Sequence, residues 1–221
     1  MLSNAATGIP PIDFYAPPQT DLATFAMGCF WKPDALFGGI EGVVRTRVGY
    51  AGGTSPNPRY NNIGDHMECV QIDFVPGLIS YESLVMMFLQ HHNPSREDTK
   101  KQYSSGIFYH SDEQHRLVSK IMDEIENKHK IITKVFPYRK IFLAEDRHQK
   151  YKLQRNAVLF NEFKNIYFNF CDIINSTAAA RINAFLGGYY PGEYLMKEID
   201  RYGLSAKGIK ELISRIEKES V

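Results

Sequence analysis

The chain has 221 residues, enough for one sizeable domain with a core of its own. Its 26 Lys and Arg balance 25 Asp and Glu, which removes the electrostatic case for a nucleic-acid or acidic-membrane partner, and no apolar run reaches the roughly 20 residues that span a bilayer. Three cysteines, Cys29, Cys69 and Cys171, are too few for a disulfide scaffold and fit a reducing, cytoplasmic setting; the start of the chain has no basic region followed by an apolar one, so no secretory leader is expected.

In chain order, residues 1–21 hold Pro10, Pro11, Pro17 and Pro18 without any period, which predicts an irregular arm lying on the surface. Residues 22–27 alternate as a strand does, with Phe25 and Met27 on one side. Gly28 permits a sharp turn, and 32–39 follows as a helix with Leu36 and Phe37 inward, stopped by Gly38-Gly39. A strand is expected at 43–50, then a loop rich in Pro and Asn that ends at Tyr60. The strand at 66–75 alternates Val70, Ile72 and Phe74 against Met67, Cys69, Gln71 and Asp73.

Glu68 has the parity of the apolar face. An inward carboxyl at a strand end is costly unless used or paired, and the alternative is a frayed strand start with Glu68 in solvent. Ser80 caps a helix through His91 with Leu84, Val85, Phe88 and Leu89 as its stripe. Residues 92–102 read as polar loop, 103–110 as strand, and 111–130 as an amphipathic helix. Segments 131–135 and 140–143 are expected to form a final strand pair or one bent strand, with a helix starting at Ala144. From 149 onward the pattern is largely helical, with caps at Ser176-Thr177 and Ser205. This order predicts an α+β fold: a two-layer α/β sandwich with a mixed, ferredoxin-like sheet, plus a helical C-terminal extension. The expected division is an arm at 1–21, a catalytic domain at 22–155, and an extension at 156–221 packed on it.

Cys29 leaves a strand and meets a helix N-terminus, where backbone N–H groups and the dipole favour thiolate, so a lowered thiol pKa is expected. The bland alternative is a buried cysteine beside the aromatics Phe30 and Trp31. No CxxC or HExxH spacing marks a metal site, and His91, His92, His110 and His115 read as surface or capping histidines.

Four segments taken in order, Gly28-Cys29-Phe30-Trp31, Val48-Gly49-Tyr50-Ala51-Gly52-Gly53 with Asn57-Pro58-Arg59-Tyr60, Gly64-Asp65-His66-Met67-Glu68, and Ala144-Glu145-Asp146-Arg147-His148-Gln149-Lys150-Tyr151, resemble the peptide-methionine (S)-S-oxide reductases, the A class of methionine sulfoxide reductase. The resemblance implies that Cys29 is the nucleophile, Glu68 the general acid, and Tyr60 and Tyr103 donors to the sulfoxide oxygen. Phe30 and Trp31 would cage the S-methyl group, with Asp98 a candidate for a further acidic residue. It also implies no bound cofactor, free methionine sulfoxide or oxidised proteins as substrates, thioredoxin or another dithiol as external reductant, and a monomer. A non-catalytic module that binds methionine or its sulfoxide is the alternative.

The chain departs from the family pattern at Lys32-Pro33-Asp34, where Gly-x-Glu is usual, and at Arg147, where an aromatic is usual. Resolving cysteines in the family lie in a C-terminal tail. Here Cys171 is either a structural cysteine, buried beside Phe168 and Phe170, or the resolver. As resolver it is favoured over Cys69, whose side chain lies on the far face of its strand. Direct attack by thioredoxin or a small thiol is the competing route.

Overall fold

The computed structural model describes residues 8–14, 19–95, 100–126 and 131–219. In chain order the elements are α1 (Pro11–Phe14), β1 (Asp21–Met27), α2 (Trp31–Gly38), β2 (Val43–Ala51), β3 (Met67–Phe74), α3 (Tyr81–His91), β4 (Ser105–Tyr109), α4 (Asp112–Glu126), β5 (Lys134–Pro137) and β6 (Ile141–Leu143). Six helices close the chain: α5 (Tyr151–Gln154), α6 (Ala157–Ile166), α7 (Phe170–Asn175), α8 (Thr177–Leu186), α9 (Gly192–Lys197) and α10 (Ala206–Glu219). The fold is α+β, built on a mixed six-stranded sheet of order β5-β4-β1-β3-β2-β6. Only β4 and β5 run parallel; the other neighbours are antiparallel.

One face of the sheet makes the main core. Phe25 and Met27 of β1, Val70, Ile72 and Phe74 of β3, and Ile107 of β4 meet Leu36 and Phe37 of α2, the stripe Leu84, Val85 and Phe88 of α3, and Val118, Ile121 and Met122 of α4. The helix stripes arise from 3.6-residue spacing, and α3 starts where expected because the Ser80 side chain accepts the Ser83 N–H. The other face is also covered: all eight residues of β3 are buried, with Met67 and Cys69 packed among Ala26, Ala51 and Phe108.

Three expectations are corrected. Segments β5 and β6 do not pair; they sit on opposite edges of the sheet, because the chain between them crosses the far face, where the Tyr138 hydroxyl accepts from Gln71 Nε2 and the Ile141 N–H, both at 3.2 Å. No α-helix begins at Ala144; a single 3-10 turn at Asp146–His148 precedes α5. Within the arm expected to be irregular, α1 forms one helical turn. Its Asp13 carboxylate accepts the Ala178 N–H at 3.1 Å and the Ser176 hydroxyl at 2.7 Å, and also the Tyr167 hydroxyl, so it caps the start of α8 from outside that helix.

The C-terminal helices bury a second apolar cluster, including Leu159, Phe163, Phe185, Leu195, Tyr202 and Leu212. What ties them to the sheet is a buried polar network around Asp34. Its Oδ1 accepts Lys150 Nζ at 3.1 Å and the Thr46 hydroxyl at 2.5 Å; its Oδ2 accepts the Lys150 N–H at 3.0 Å and Asn183 Nδ2 at 3.2 Å. Lys150 Nζ also donates to the Thr46 carbonyl. Lys150, Asp34 and Asn183 are all fully buried.

Removing one partner of a buried pair strands the other charge, which typically costs about 3–5 kcal/mol. Lys150→Met should therefore lower unfolding free energy by about that amount in urea titration, whereas the double variant Lys150→Met with Asp34→Asn should recover part of the loss. A single variant as stable as wild type would show that Asp34 is solvated by other means.

Candidate active site

The sheet register brings the site together. Phe25 pairs with Val70, so two residues on Met27 lies level with Glu68. Met27 also pairs with Ser105, and Tyr50 with Glu68. The C-terminal end of β1, the N-terminal ends of β3 and β4, and the end of β2 thus share one edge. Gly28 makes the exit from β1 at φ +84°, a conformation that disfavours other residues. Cys29 follows with the Trp31 N–H as a hydrogen-bond donor to its sulfur, just before α2.

Cys29 is open to solvent, yet its thiol pKa is raised, not lowered as expected. The protein packed around the sulfur removes water from the thiolate and pushes the pKa up. The Trp31 N–H draws it down, the charge of Glu68 pushes it up again, and Lys152 draws it down. An eight-residue helix offers only its first-turn N–H groups, and here desolvation outweighs them.

Glu68 is buried, at 1% exposure, so the inward parity holds and the frayed-start alternative does not. Its Oε2 accepts the Phe30 N–H at 3.0 Å and its Oε1 accepts Gln102 Nε2 at 2.5 Å. Burial raises its pKa, opposed by those two donors. The carboxyl therefore keeps its proton to higher pH than an exposed glutamate.

Tyr103 lies in a 3-10 turn (Lys101–Tyr103) ahead of β4, not in the strand where it was expected. Burial pushes its pKa up to about 12, aided by a hydrogen bond with Tyr60 and by the charge of Glu68. Its hydroxyl thus remains a donor at neutral pH.

Phe30 is fully buried against Tyr50 and His148 and backs the site. Trp31 and Tyr60 are half-buried. Trp31 stacks on Tyr151 with ring centres 3.7 Å apart and planes 3° from parallel, and His148 lies 4.5 Å from the Tyr60 ring and 5.9 Å from Trp31. The structure thus brings Cys29, Glu68, Tyr60, Tyr103, Phe30 and Trp31 together. Asp98 lies outside the described residues.

Cys171 is not brought to this group. It is exposed on α7, and its neighbour Phe168 is fully exposed, so the burial expected from its aromatic neighbours is corrected. It lines a hollow with Arg47, Gln71, Ile141 and Leu143, on the sheet face opposite Glu68. Cys69 is buried behind the same sheet, where lack of water pushes its thiol up.

Sequence reasoning assigned no role to three supporting residues. Gln102 holds Glu68 from a loop with no period. Glu145 accepts the Tyr50 hydroxyl at 2.8 Å and the Tyr60 N–H at 3.1 Å, so it fixes the loop that carries Tyr60. Asp65 accepts N–H and O–H groups of Thr54 and Ser55, all within 2.9 Å, and closes the same loop from its other side. Glu145 and Asp65 stand in the motif segments, which was the signal available. A separate cleft of about 700 Å³, lined by Arg181, Tyr190 and Tyr194, lies between β2 and the C-terminal helices and holds none of these groups.

The charges and donors acting on Cys29 are the Trp31 N–H, Glu68 and Lys152; no histidine is among them. A cysteine hydrolase needs a base on the thiol. Here the neighbouring group is a carboxyl whose burial favours its protonated form, so it can supply a proton beside an open thiol, an arrangement that suits a thiol-dependent oxidoreductase.

The comparisons agree. A family model described as peptide methionine sulfoxide reductase matches residues 21–174. Peptide methionine sulfoxide reductase A5 of Oryza sativa is 37% identical over 174 residues, covering 75% of this chain and 68% of its own. Peptide methionine sulfoxide reductase MsrA of Methanococcus maripaludis is 37% identical over 154 residues, covering 65% and 98%. Among solved structures, Mxr1 of Saccharomyces cerevisiae in reduced form matches with a TM-score of 0.59 at 30% identity, over 65% of this chain and 89% of that one. Methionine sulfoxide reductase A of Corynebacterium diphtheriae matches with 0.56 at 28%, over 65% and 78%. The chain belongs to the peptide methionine sulfoxide reductase family, in its A class.

The two raised pKa values have opposite consequences for rate. With Glu68 as the proton donor we propose below, the reductive step should slow as pH rises through its raised pKa. With Cys29 as the nucleophile, the step should quicken as pH rises toward the raised pKa of its thiol. Single-turnover rates against pH should show both limbs, and Glu68→Gln should erase the Glu68 limb and lower the rate by roughly 10²–10⁴-fold. A Glu68→Gln enzyme within about threefold of wild type would exclude the acid role.

Proposed function

We propose that this methionine sulfoxide reductase acts on the S epimer, free or in proteins, through Cys29 as nucleophile. The observation that carries the reading is the buried Glu68 carboxyl, held by the Phe30 N–H and Gln102 beside an open thiol. Glu68 gives its proton to the sulfoxide oxygen while Tyr60 and Tyr103 donate hydrogen bonds to it, which makes the sulfur electrophilic. The Cys29 sulfur attacks, the substrate S–O bond breaks, and the oxygen remains on Cys29. Methionine leaves reduced by two electrons and Cys29 is left as sulfenic acid, oxidised by two. Trp31, stacked on Tyr151, and Phe30 behind it offer the apolar surface for the S-methyl group; Asp98 keeps its place as a further candidate contact.

Regeneration by an external dithiol such as thioredoxin fits the placement of the other cysteines. A disulfide needs Cα atoms about 4.4–6.8 Å apart, and Cys69 and Cys171 lie toward the opposite face of the sheet. Attack of an external thiol on the sulfenic acid forms a mixed disulfide and water; the second thiol of the dithiol then releases Cys29. Three free thiols suit a reducing, cytoplasmic setting, and among the described residues no helix is long and apolar enough to cross a membrane. The reading includes a monomer without a bound cofactor. It extends to the fold, where β1–α2–β2–β3–α3–β4 with the order β4-β1-β3-β2 supports a ferredoxin-like core under a helical extension.

Two measurements test this reading. The purified protein should reduce the S epimer of blocked methionine sulfoxide and leave the R epimer; equal turnover of both would overturn the assignment. With one equivalent of sulfoxide and no reductant, wild type and Cys171→Ser should each lose one free thiol. Loss of two in wild type and one in Cys171→Ser would establish Cys171 as the resolver instead.

A further inference from the structure

Among the described residues the rim of the site carries cations that form no ion pairs. Arg147 is exposed, and its guanidinium carbon sits 5.9 Å from the centre of the Tyr60 ring. Its Nε donates to His148 Nε2 at 3.2 Å, so a neutral ring, not a carboxylate, holds it in place. Lys152 is half-buried one residue beyond Tyr151, close enough for its charge to act on the Cys29 sulfur. Neither forms an ion pair among the described residues.

Among the described residues the nearby acids are engaged. Both oxygens of Glu68 accept hydrogen bonds from Phe30 and Gln102, and both oxygens of Glu145 from Tyr50 and Tyr60. Of the described acids beside them, Asp146 is exposed. Further exposed cations flank the site residues in sequence: Arg59 precedes Tyr60, and Lys100 and Lys101 precede Gln102 and Tyr103. Lys32 follows Trp31, though its ammonium is directed to the His91 carbonyl at 3.0 Å. A chain with a net charge of only +1 thus places several cations, without an ion pair among the described residues, next to residues of one site.

We propose that Arg147 and Lys152 make this enzyme select methionine sulfoxides flanked by acidic residues. The inference rests on the assignment of Cys29 as the reductase nucleophile. A methionine sulfoxide whose methyl group meets Trp31 and whose oxygen meets Tyr60 carries its neighbouring residues over the rim. There an Asp or Glu side chain can reach the Arg147 guanidinium on one side and the Lys152 ammonium on the other. The guanidinium fork, with its face toward Tyr60, retains outward N–H donors suited to a carboxylate. A basic neighbour meets like charge in the same place.

Exposed pairs are weak, each worth roughly two- to five-fold, so the two together predict about five- to twenty-fold.

The test compares blocked peptides with a central methionine sulfoxide flanked by Asp, by Gly or by Lys, with blocked methionine sulfoxide as the charge-free reference. At low ionic strength kcat/KM should favour the Asp peptide over the Lys peptide by about five- to twenty-fold, and near 1 M salt the ratio should fall to about twofold or less. Arg147→Gln with Lys152→Gln should bring the ratio close to one at low salt, and Arg147→Glu should reverse it, each measured relative to the charge-free reference. Equal rates for the three peptides, with the reference turned over normally, overturn the inference and leave the reductase assignment standing. A preference that persists in the double variant also overturns it. No turnover of the reference would instead refute the catalytic reading. The salt dependence of the wild-type ratio provides the same decision if a variant fails to fold.

Discussion

The carboxylate of Asp34 is the constraint on which the arrangement depends. It sits on the helix that carries Trp31, and binds a strand residue, a lysine backbone and side chain, and an amide from the C-terminal helices. A charge buried without such partners would cost several kcal/mol, so the four contacts are satisfied together or not at all. Through them, α2 is fixed against β2, and the segment from Glu145 to Tyr151 is fixed against both. That segment supplies Glu145 to the Tyr60 loop, His148 to the aromatic cluster and Tyr151 to the face of Trp31. The positions of Trp31, Tyr60 and His148 therefore depend on a buried polar cluster beneath them.

A single physical effect, removal of water, acts with opposite value on the two groups that the proposed reaction uses. At Glu68 it preserves the proton that this reaction would donate. At Cys29 it disfavours the thiolate that this reaction would use, and the Trp31 N–H and Lys152 offset part of that cost. Placing both groups in the same surroundings favours the protonated form of each. In the proposed reaction, transfer of the Glu68 proton to the sulfoxide oxygen leaves a carboxylate beside the sulfur, so the Trp31 N–H and Lys152 are the groups that favour the thiolate there. Lys152 acts in the same direction as the Trp31 N–H on the thiolate.

Much of this was legible in the linear chain, because the signals are local. The turn at Gly28, the alternation that points Glu68 inward, the Ser80 cap and the stripe of α3 each depend on residues a few positions apart. The four ordered segments carried the family, which the match over residues 21–174 bears out. Other features required the folded chain. The direction of the Cys29 pKa follows from how much protein crowds the sulfur, which the helix N-terminus alone does not reveal. Gln102 reaches Glu68 from 34 positions away, out of a loop without periodicity. Strands β5 and β6 are close in sequence and lie on opposite sheet edges, because the chain between them crosses the far face of the sheet. Cys171 stands exposed behind the sheet although its aromatic neighbours pointed inward, since a short helix at the surface leaves Phe168 without anything to pack on. Alternation and capping are set by neighbouring residues, whereas desolvation and strand order are set by segments that meet only when the chain closes on itself.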